Sequence, residues 1–228
     1  MNFTHWLLHT DTGLLVRIAA GVTIFAALAV VDLRRNGRDA TRWREYGVLL
    51  AAVVAALVYG AVNDQVTVTI SPEYFLYGKE LAKTVGDPPS SALALRWGAA
   101  KVGFMATWSA GLAFGVVLLI ANNPRRGLPR LPNRRLVGLL PMILLSAAAF
   151  GVAGGAVGYA GLFTHASADF EDLVRADLWH PRRFMATWGV HLGGYVGSLF
   201  GTVAAVAMVV RGRLALRQRE TTRGFDVV

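Results

Sequence analysis

Five side chains stand at helical spacing in one apolar stretch near the C-terminus: Thr187, His191, Tyr195, Ser198 and Thr202. Their steps of four, four, three and four put them on one face of a helix. The imidazole carries the chemical interest. An ionisable side chain inside apolar sequence is a candidate proton relay, metal ligand or haem ligand. The hydroxyls suit a plainer task, hydrogen bonding between packed helices. A single His with no second His or carboxylate in apolar sequence argues only weakly for a metal.

A second set of reactive side chains lies between apolar stretches: Asp64, Glu73, His165 and Asp169. Glu73 and Asp169 each follow a serine, Ser71 and Ser167, in what reads as a helix start. Two carboxylates in matched positions with a nearby His could hold a divalent cation. They could equally stabilise helix N-termini, which favour negative charge. His5 and His9 flank Trp6-Leu7-Leu8 and read as an interfacial amphipathic turn. The chain has no phosphate-binding Gly-rich loop, no His-Glu-x-x-His pair, no Gly-x-Ser-x-Gly elbow and no c-type haem box. With no cysteine, thiol catalysis, disulfides and Cys-ligated metal centres are excluded. No cofactor is named by any motif, and the balance is against an enzyme.

The elements that must position these groups are membrane helices. Of 228 residues, 54% are hydrophobic and 16% charged, where a soluble domain carries about 25% charged residues. The apolar residues fall in five blocks, 14–31, 47–62, 99–121, 136–163 and 184–210. A bilayer core of about 30 Å needs roughly 20 apolar residues per helix. Only helices satisfy backbone groups within a single span. The expected fold is therefore an all-α integral membrane bundle of about five transmembrane helices, one membrane domain over 1–228. Pro141 falls in the first turns of the fourth block, where proline is tolerated.

The net charge of +9 sits in the connections. Asp32–Tyr46, Asn122–Arg135 and the tail from Arg211 hold five arginines each. The opposite segments, Met1–Gly13, Asn63–Gly98 and Thr164–Arg183, hold none, three and three basic residues. The positive-inside rule then places the N-terminus outside and the C-terminus in the cytoplasm. Met1–Gly13 lacks the basic n-region of a cleaved signal peptide, so the first block is expected to stay in the protein. The partner of this charge is the lipid bilayer, with other membrane subunits as further partners and no nucleic acid.

The connections on the outer side carry structure of their own. Asp64–Ile70 alternates apolar and polar residues, a strand pattern. Ser71-Pro72-Glu73 reads as a helix start, with Ser as cap and Pro in the first turn. Tyr74 to Thr84 is then expected as a short interfacial helix, with Tyr74, Phe75 and Tyr77 at headgroup level, ending at Gly86-Asp87-Pro88-Pro89. A similar helix is expected from Ser167 to about Trp179. Together these would form a small extracytoplasmic cap. The pentapeptide Phe104-Met105-Ala106-Thr107-Trp108 recurs as Phe184-Met185-Ala186-Thr187-Trp188. Tyr59-Gly60 and Gly158-Tyr159 precede the two copies at the ends of earlier blocks. The chain therefore reads as a parallel two-helix repeat with units 47–121 and 136–210. Gly189, Gly193, Gly197 and Gly201 make a face on which another backbone can approach closely. Gly111 and Gly115 are expected to leave room for His191.

The stretch from Asn63 to Phe75, Asn-Asp-Gln-Val-Thr-Val-Thr-Ile-Ser-Pro-Glu-Tyr-Phe, resembles the signature of an uncharacterised family of bacterial multi-pass membrane proteins. In that pattern a His-Asp-Gln triplet leads to Glu-Tyr-Phe, and an Ala-Thr-Trp, here Ala106-Thr107-Trp108, opens the next helix. Asn63 stands where the pattern has His. The resemblance implies a bacterial inner-membrane topology and no activity. Two function classes follow from the residues. One is a structural or accessory membrane subunit, favoured by the missing motifs and the glycine faces. The other is a small-solute, ion or proton permease, or a cofactor-binding redox protein, built on the His191 stripe.

Overall fold

The computed structural model describes residues 11–123, 127–163, 178 and 180–225. Its helices are α1 (Asp11–Asn36), α2 (Arg42–Ile70), α3 (Ala82–Val85), α4 (Ala92–Ala121), α5 (Asn133–Val137), α6 (Leu140–Tyr159) and α7 (Pro181–Phe225). A π-helical turn, Tyr74–Gly78, follows α2. No strand occurs among the described residues. Among the described residues, four stretches are long and apolar enough to cross a membrane: Arg42–Ile70, Ala92–Ala121, Asn133–Tyr159 and Pro181–Thr222. The apolar block 14–31 lies within α1. With 45 residues, α7 is about 67 Å long, far more than a hydrocarbon core of about 30 Å requires.

The surface of these helices is what a lipid-facing bundle needs. On α2, Leu50, Val54, Val58 and Val62 form an exposed apolar stripe. On α7, Leu192, Val196, Leu199, Phe200 and Val203 are exposed as well. Apolar patches of that extent are rare on a water-soluble monomer and cost nothing against acyl chains. The fold is thus an all-α helical bundle fitted to a multi-pass membrane protein.

By its internal contacts the chain divides into Met1–Val48 and Leu49–Val228. In the first unit, Asp32 organises the turn after α1. Its carboxylate accepts hydrogen bonds from the Thr41 and Arg42 amides, at 3.0 and 2.9 Å, and from Asn36 Nδ2 at 2.7 Å. Phe25 and Tyr46 stack at 5.1 Å between centroids.

In the second unit, glycines bring helix backbones together. A β-carbon on Gly193 would collide with the Phe150 carbonyl, and one on Gly189 with Gly154. One on Gly201 would lie 2.8 Å from Ile143 Cα. The four-residue glycine face of α7 is therefore spent on α6, and Ser146 Oγ donates across the seam to the Gly197 carbonyl at 2.8 Å. Between α2 and α4, Gly60 meets Gly103, Gly111 meets Ala52 and Ala56, and Gly115 meets Leu49. At the arginine-bearing end, Arg213 is 1% exposed. Its guanidinium donates to the carbonyls of Ala121, Asn123, Leu128 and Pro129. Asn122 exchanges two 2.9 Å hydrogen bonds with the Leu131 backbone. The link between α4 and α5 is thereby tied to α7.

Several expectations are corrected. Asp64–Ile70 is the last part of α2 and not a strand. Asp64, Thr67, Val68 and Ser71 are the buried positions, a helical spacing. Thr67 and Thr69 return their hydroxyl protons to the Asn63 and Gln65 carbonyls four residues back, so their polarity does not interrupt the helix. The helix expected over Tyr74–Thr84 is broken: Glu80 adopts φ 56° between the π turn and α3. Its start is as expected, with Ser71 Oγ accepting from the Tyr74 amide at 3.2 Å. Tyr74 and Phe75 do not present their rings at the protein surface. They are buried in a core with Val68, Leu76, Leu95, Ala99, Phe184 and Met185. Helix ends run beyond the apolar blocks at 47–62, 99–121 and 184–210: largely polar residues continue α2 and α7, and the largely apolar Ala92–Gly98 opens α4. The fourth block, 136–163, is covered by α5 and α6, with α6 ending at Tyr159 and Pro141 in its first turn.

Candidate functional site

Extension of α2 to Ile70 changes the chemistry, because it carries Asp64 out of a connection and into the bundle. Asp64 is 2% exposed. Its Oδ1 lies 3.8 Å from Nε2 of His191 on α7. That gap is too long for a hydrogen bond. Asn63 Nδ2 donates to Oδ1 at 3.3 Å. Asp64 Oδ2 and His191 Nε2 are both buried and have no hydrogen-bond partner among the described residues.

Aromatic rings fix the imidazole. Tyr74 stacks on His191 at 5.0 Å and 13°, and Phe75 meets it edge-on at 6.2 Å and 69°. Phe184 meets Tyr74 edge-on at 5.3 Å. Lys79, exposed, holds its ammonium 5.4 Å from the Tyr74 ring centroid. Burial raises the Tyr74 phenol well above its ordinary range, so this residue offers the site a neutral ring.

The pair borders a cavity of about 70 Å³. Tyr59, Asn63 and Asp64 line it from α2, Lys79 from the π-turn connection, and His191, Tyr195 and Ser198 from α7. The rest of its wall is largely apolar, with Val102, Ala106 and Phe114 from α4 and Leu144 and Ala147 from α6. At about 30 Å³ of liquid per water, this is room for a few waters or one small ligand.

The helical stripe read from the sequence divides by role. Thr187 is buried and donates to the Thr67 carbonyl at 3.4 Å, an interhelical bond. His191 meets Asp64. Tyr195 lines the cavity, yet it is 56% exposed and not enclosed in the bundle. Ser198 and Thr202 return their hydroxyl protons to the Tyr195 and Ser198 carbonyls on their own helix. Gly111 and Gly115 do not make room for His191. They are filled by Ala52, Ala56 and Leu49 of α2.

Of the four-residue cluster, Asp64 and Glu73 lie among the described residues. Glu73 accepts from the His180 amide at 3.1 Å, while Asp64 turns to His191. His165 and Asp169 lie outside the described residues, as do His5, His9 and the helix expected from Ser167. No group of three or more His, Asp or Glu side chains that could hold a metal ion occurs among the described residues. Tyr59, Tyr74 and Lys79 were not among the residues singled out for the site. The signal for Tyr74 and Lys79 was the helical spacing of Asp64, Thr67 and Ser71, which points the following turn back into the bundle. Comparison with family profiles, curated proteins and solved structures gives no match for this chain.

Proposed function

We propose that this chain is a multi-pass permease of the bacterial inner membrane that moves protons, or a small solute coupled to protons, through the Asp64–His191 cavity. The observation that carries the reading is the meeting of two ionisable side chains from different helices, 3.8 Å apart and each with an unpartnered polar atom. A carboxylate removed from water with one oxygen unpartnered and no cation in contact costs several kcal/mol. Bundles keep such groups chiefly where they take up and release something. Proton exchange is the least demanding such task for an Asp and a His.

In the proposed topology α1 is a fifth span, the N-terminus is outside and the C-terminus is cytoplasmic. The three Arg-rich segments then face the cytoplasm, and Lys79, Tyr74 and the cavity mouth face outward as a small cap. The signature-like stretch from Asn63 to Phe75 supports a bacterial multi-pass family. The duplication, units 47–121 and 136–210, is supported by helix crossings. Gly60 packs on Gly103 just before the first pentapeptide, and Gly158 packs on Met185 and Ala186 inside the second. Against it, the first copy begins about three turns into α4 and is mostly exposed, while the second begins in the first turn of α7 and is largely buried.

The test is proton flux into liposomes containing the purified protein and a trapped pH-sensitive dye. Wild type should acidify the lumen under an imposed gradient, and Asp64→Asn and His191→Gln should not. Equal flux in wild type and Asp64→Asn overturns the permease reading. A structural or accessory membrane subunit is the second reading, favoured by the small cavity, which passes no sizeable solute without helix movement. It predicts no flux above empty liposomes and co-purification with a membrane complex. The redox alternative has the least support, since a single His and a single carboxylate leave a metal short of protein ligands.

A further inference from the structure

We infer that the Asp64–His191 cavity binds a small organic ammonium, a primary amine in its charged form, with its nitrogen between the two side chains. The inference names a ligand class for the site proposed above and rests on that reading for its role in transport.

The two unpartnered atoms define the complement. Asp64 Oδ2 is an acceptor, and His191 Nε2 is an acceptor when its ring proton is on Nδ1. A single group satisfying both must donate at least twice, and beside a carboxylate with no other cation in contact it should carry positive charge. A primary ammonium has three N–H donors and that charge.

The walls decide between an organic and an inorganic cation. Hard metal ions need several oxygen ligands, and here one carboxylate and one imidazole converge. What surrounds them is aromatic and aliphatic: Tyr59, Tyr74 and Tyr195 near the polar end, Ala106, Phe114 and Leu144 beyond it. Aromatic faces attract ammonium groups, and the apolar remainder suits a short alkyl chain. The protein itself places an ammonium over one of these rings. Lys79 Nζ stands over the Tyr74 ring at 5.4 Å, on the residue that stacks on His191.

Among the described residues, every titratable group facing the site can be named. Tyr59 and Asp64 come from α2, Tyr74 and Lys79 from the π-turn connection, and His191 and Tyr195 from α7. The cavity residues of α4 and α6 are all uncharged. Two competitions follow. A proton on Asp64 removes the charge the ammonium needs, so acid weakens binding. Lys79 repels the ligand at the mouth, so removing its charge strengthens binding.

The experiment is titration calorimetry of the full chain in mild detergent with methylammonium and butylammonium chloride, at constant ionic strength in sodium buffer. Binding should be saturable at pH 8 and should weaken in acid. Asp64→Asn should lose at least tenfold in affinity, and Lys79→Gln should gain severalfold. If Asp64→Asn does not purify folded, His191→Gln and Lys79→Gln carry the test, with loss expected in the first and gain in the second. No saturable binding to wild type, unchanged affinity in the variants, or equal competition by potassium overturns the assignment. The outcomes separate from those of the flux assay. Flux that needs Asp64 without ammonium binding leaves the proton reading standing and removes this one. Ammonium binding without flux keeps the site and removes the permease.

Discussion

His191 Nε2 faces Asp64 Oδ1 across 3.8 Å, and neither side chain completes the other's hydrogen bonding. The pair costs the fold free energy and returns little of it, which makes stability and function separable. Asp64→Asn keeps the shape and removes a buried charge. It should hold or raise the melting temperature in detergent while abolishing flux. His191→Leu gives up no bond at Nε2 and loses the stack on Tyr74, worth about 0.5–1.5 kcal/mol, so its melting temperature should fall by only a few degrees. A large fall in Asp64→Asn would mean the carboxylate is a structural acceptor.

The seam between α6 and α7 is held by backbone proximity. A side chain at Gly193 runs into the Phe150 carbonyl, whereas Gly194 has only Tyr59 Oη and the Ala147 carbonyl near, at 3.6 and 3.9 Å. Gly193→Leu should cost about 1–3 kcal/mol or more through overpacking and give aggregated protein by size exclusion. Gly194→Ala should fold and melt like wild type. Equal melting of the two variants would show that the seam can open without penalty.

Much of the bundle was legible because acyl-chain contact imposes a simple rule, about 20 apolar residues per span. The ends were not legible. Arg42–Tyr46 and Asn63–Ile70 are polar, yet they continue α2, since helix backbone bonds do not depend on side-chain polarity. That error split the site. His191 was visible as the ionisable member of a helical stripe, and Asp64 was visible as an acid. Their meeting depends on α2 reaching Ile70. Tyr59 sits in an Ala/Val run with no pattern to mark it. Tyr74 and Phe75 read from sequence as exposed aromatics, but their rings are buried against partners in Phe184 and His191.

Orientation has a direct readout. Reporter fusions at Gly37, Gly127 and Arg219 should all signal the cytoplasm, and one at Gly86 the outside. A cytoplasmic signal from Gly86 inverts the proposed topology and moves the cavity mouth to the inner face.

Asp32 lies just past the apolar block of α1, and its response to pH follows from its partners. The amide of Arg42, then Asn36 and the amide of Thr41, hold its carboxyl below the ordinary value of 3.8, against a smaller opposing effect of burial. The folded value is thus depressed. The stabilisation is fully present above the unfolded value and is lost as pH falls through the folded one. Amide exchange at Thr41 and Arg42, corrected for intrinsic rates, should speed up below about pH 4 in wild type. In Asp32→Asn it should be fast already at pH 7 and lack that transition. Identical protection in the two proteins would remove Asp32 as the organiser of the turn.

Arg213 presents the opposite case to Asp64, a buried charge that the protein has solvated with backbone carbonyls. Its guanidinium meets four carbonyls, those of Ala121 at 2.6 Å, Asn123 at 2.7 Å, Leu128 at 2.9 Å and Pro129 at 3.1 Å. Ala121 is the last residue of α4, so the cation also sits at the negative end of that helix. Arg213→Met fills similar space but leaves four acceptors without their donor. At about 1–3 kcal/mol for each buried unsatisfied group, less what water and relaxation recover, the loss should be at least several kcal/mol. Arg213→Lys keeps the charge and three donors but not the planar fork, and it should fall between. The readout is cleavage at the α4–α5 link by a protease added from the side of that link. Wild type should resist, Arg213→Lys should cut slowly, and Arg213→Met should cut fast while α6 and α7 stay paired. Equal resistance in all three would assign the order of the link to Asn122 and its two bonds to Leu131 alone.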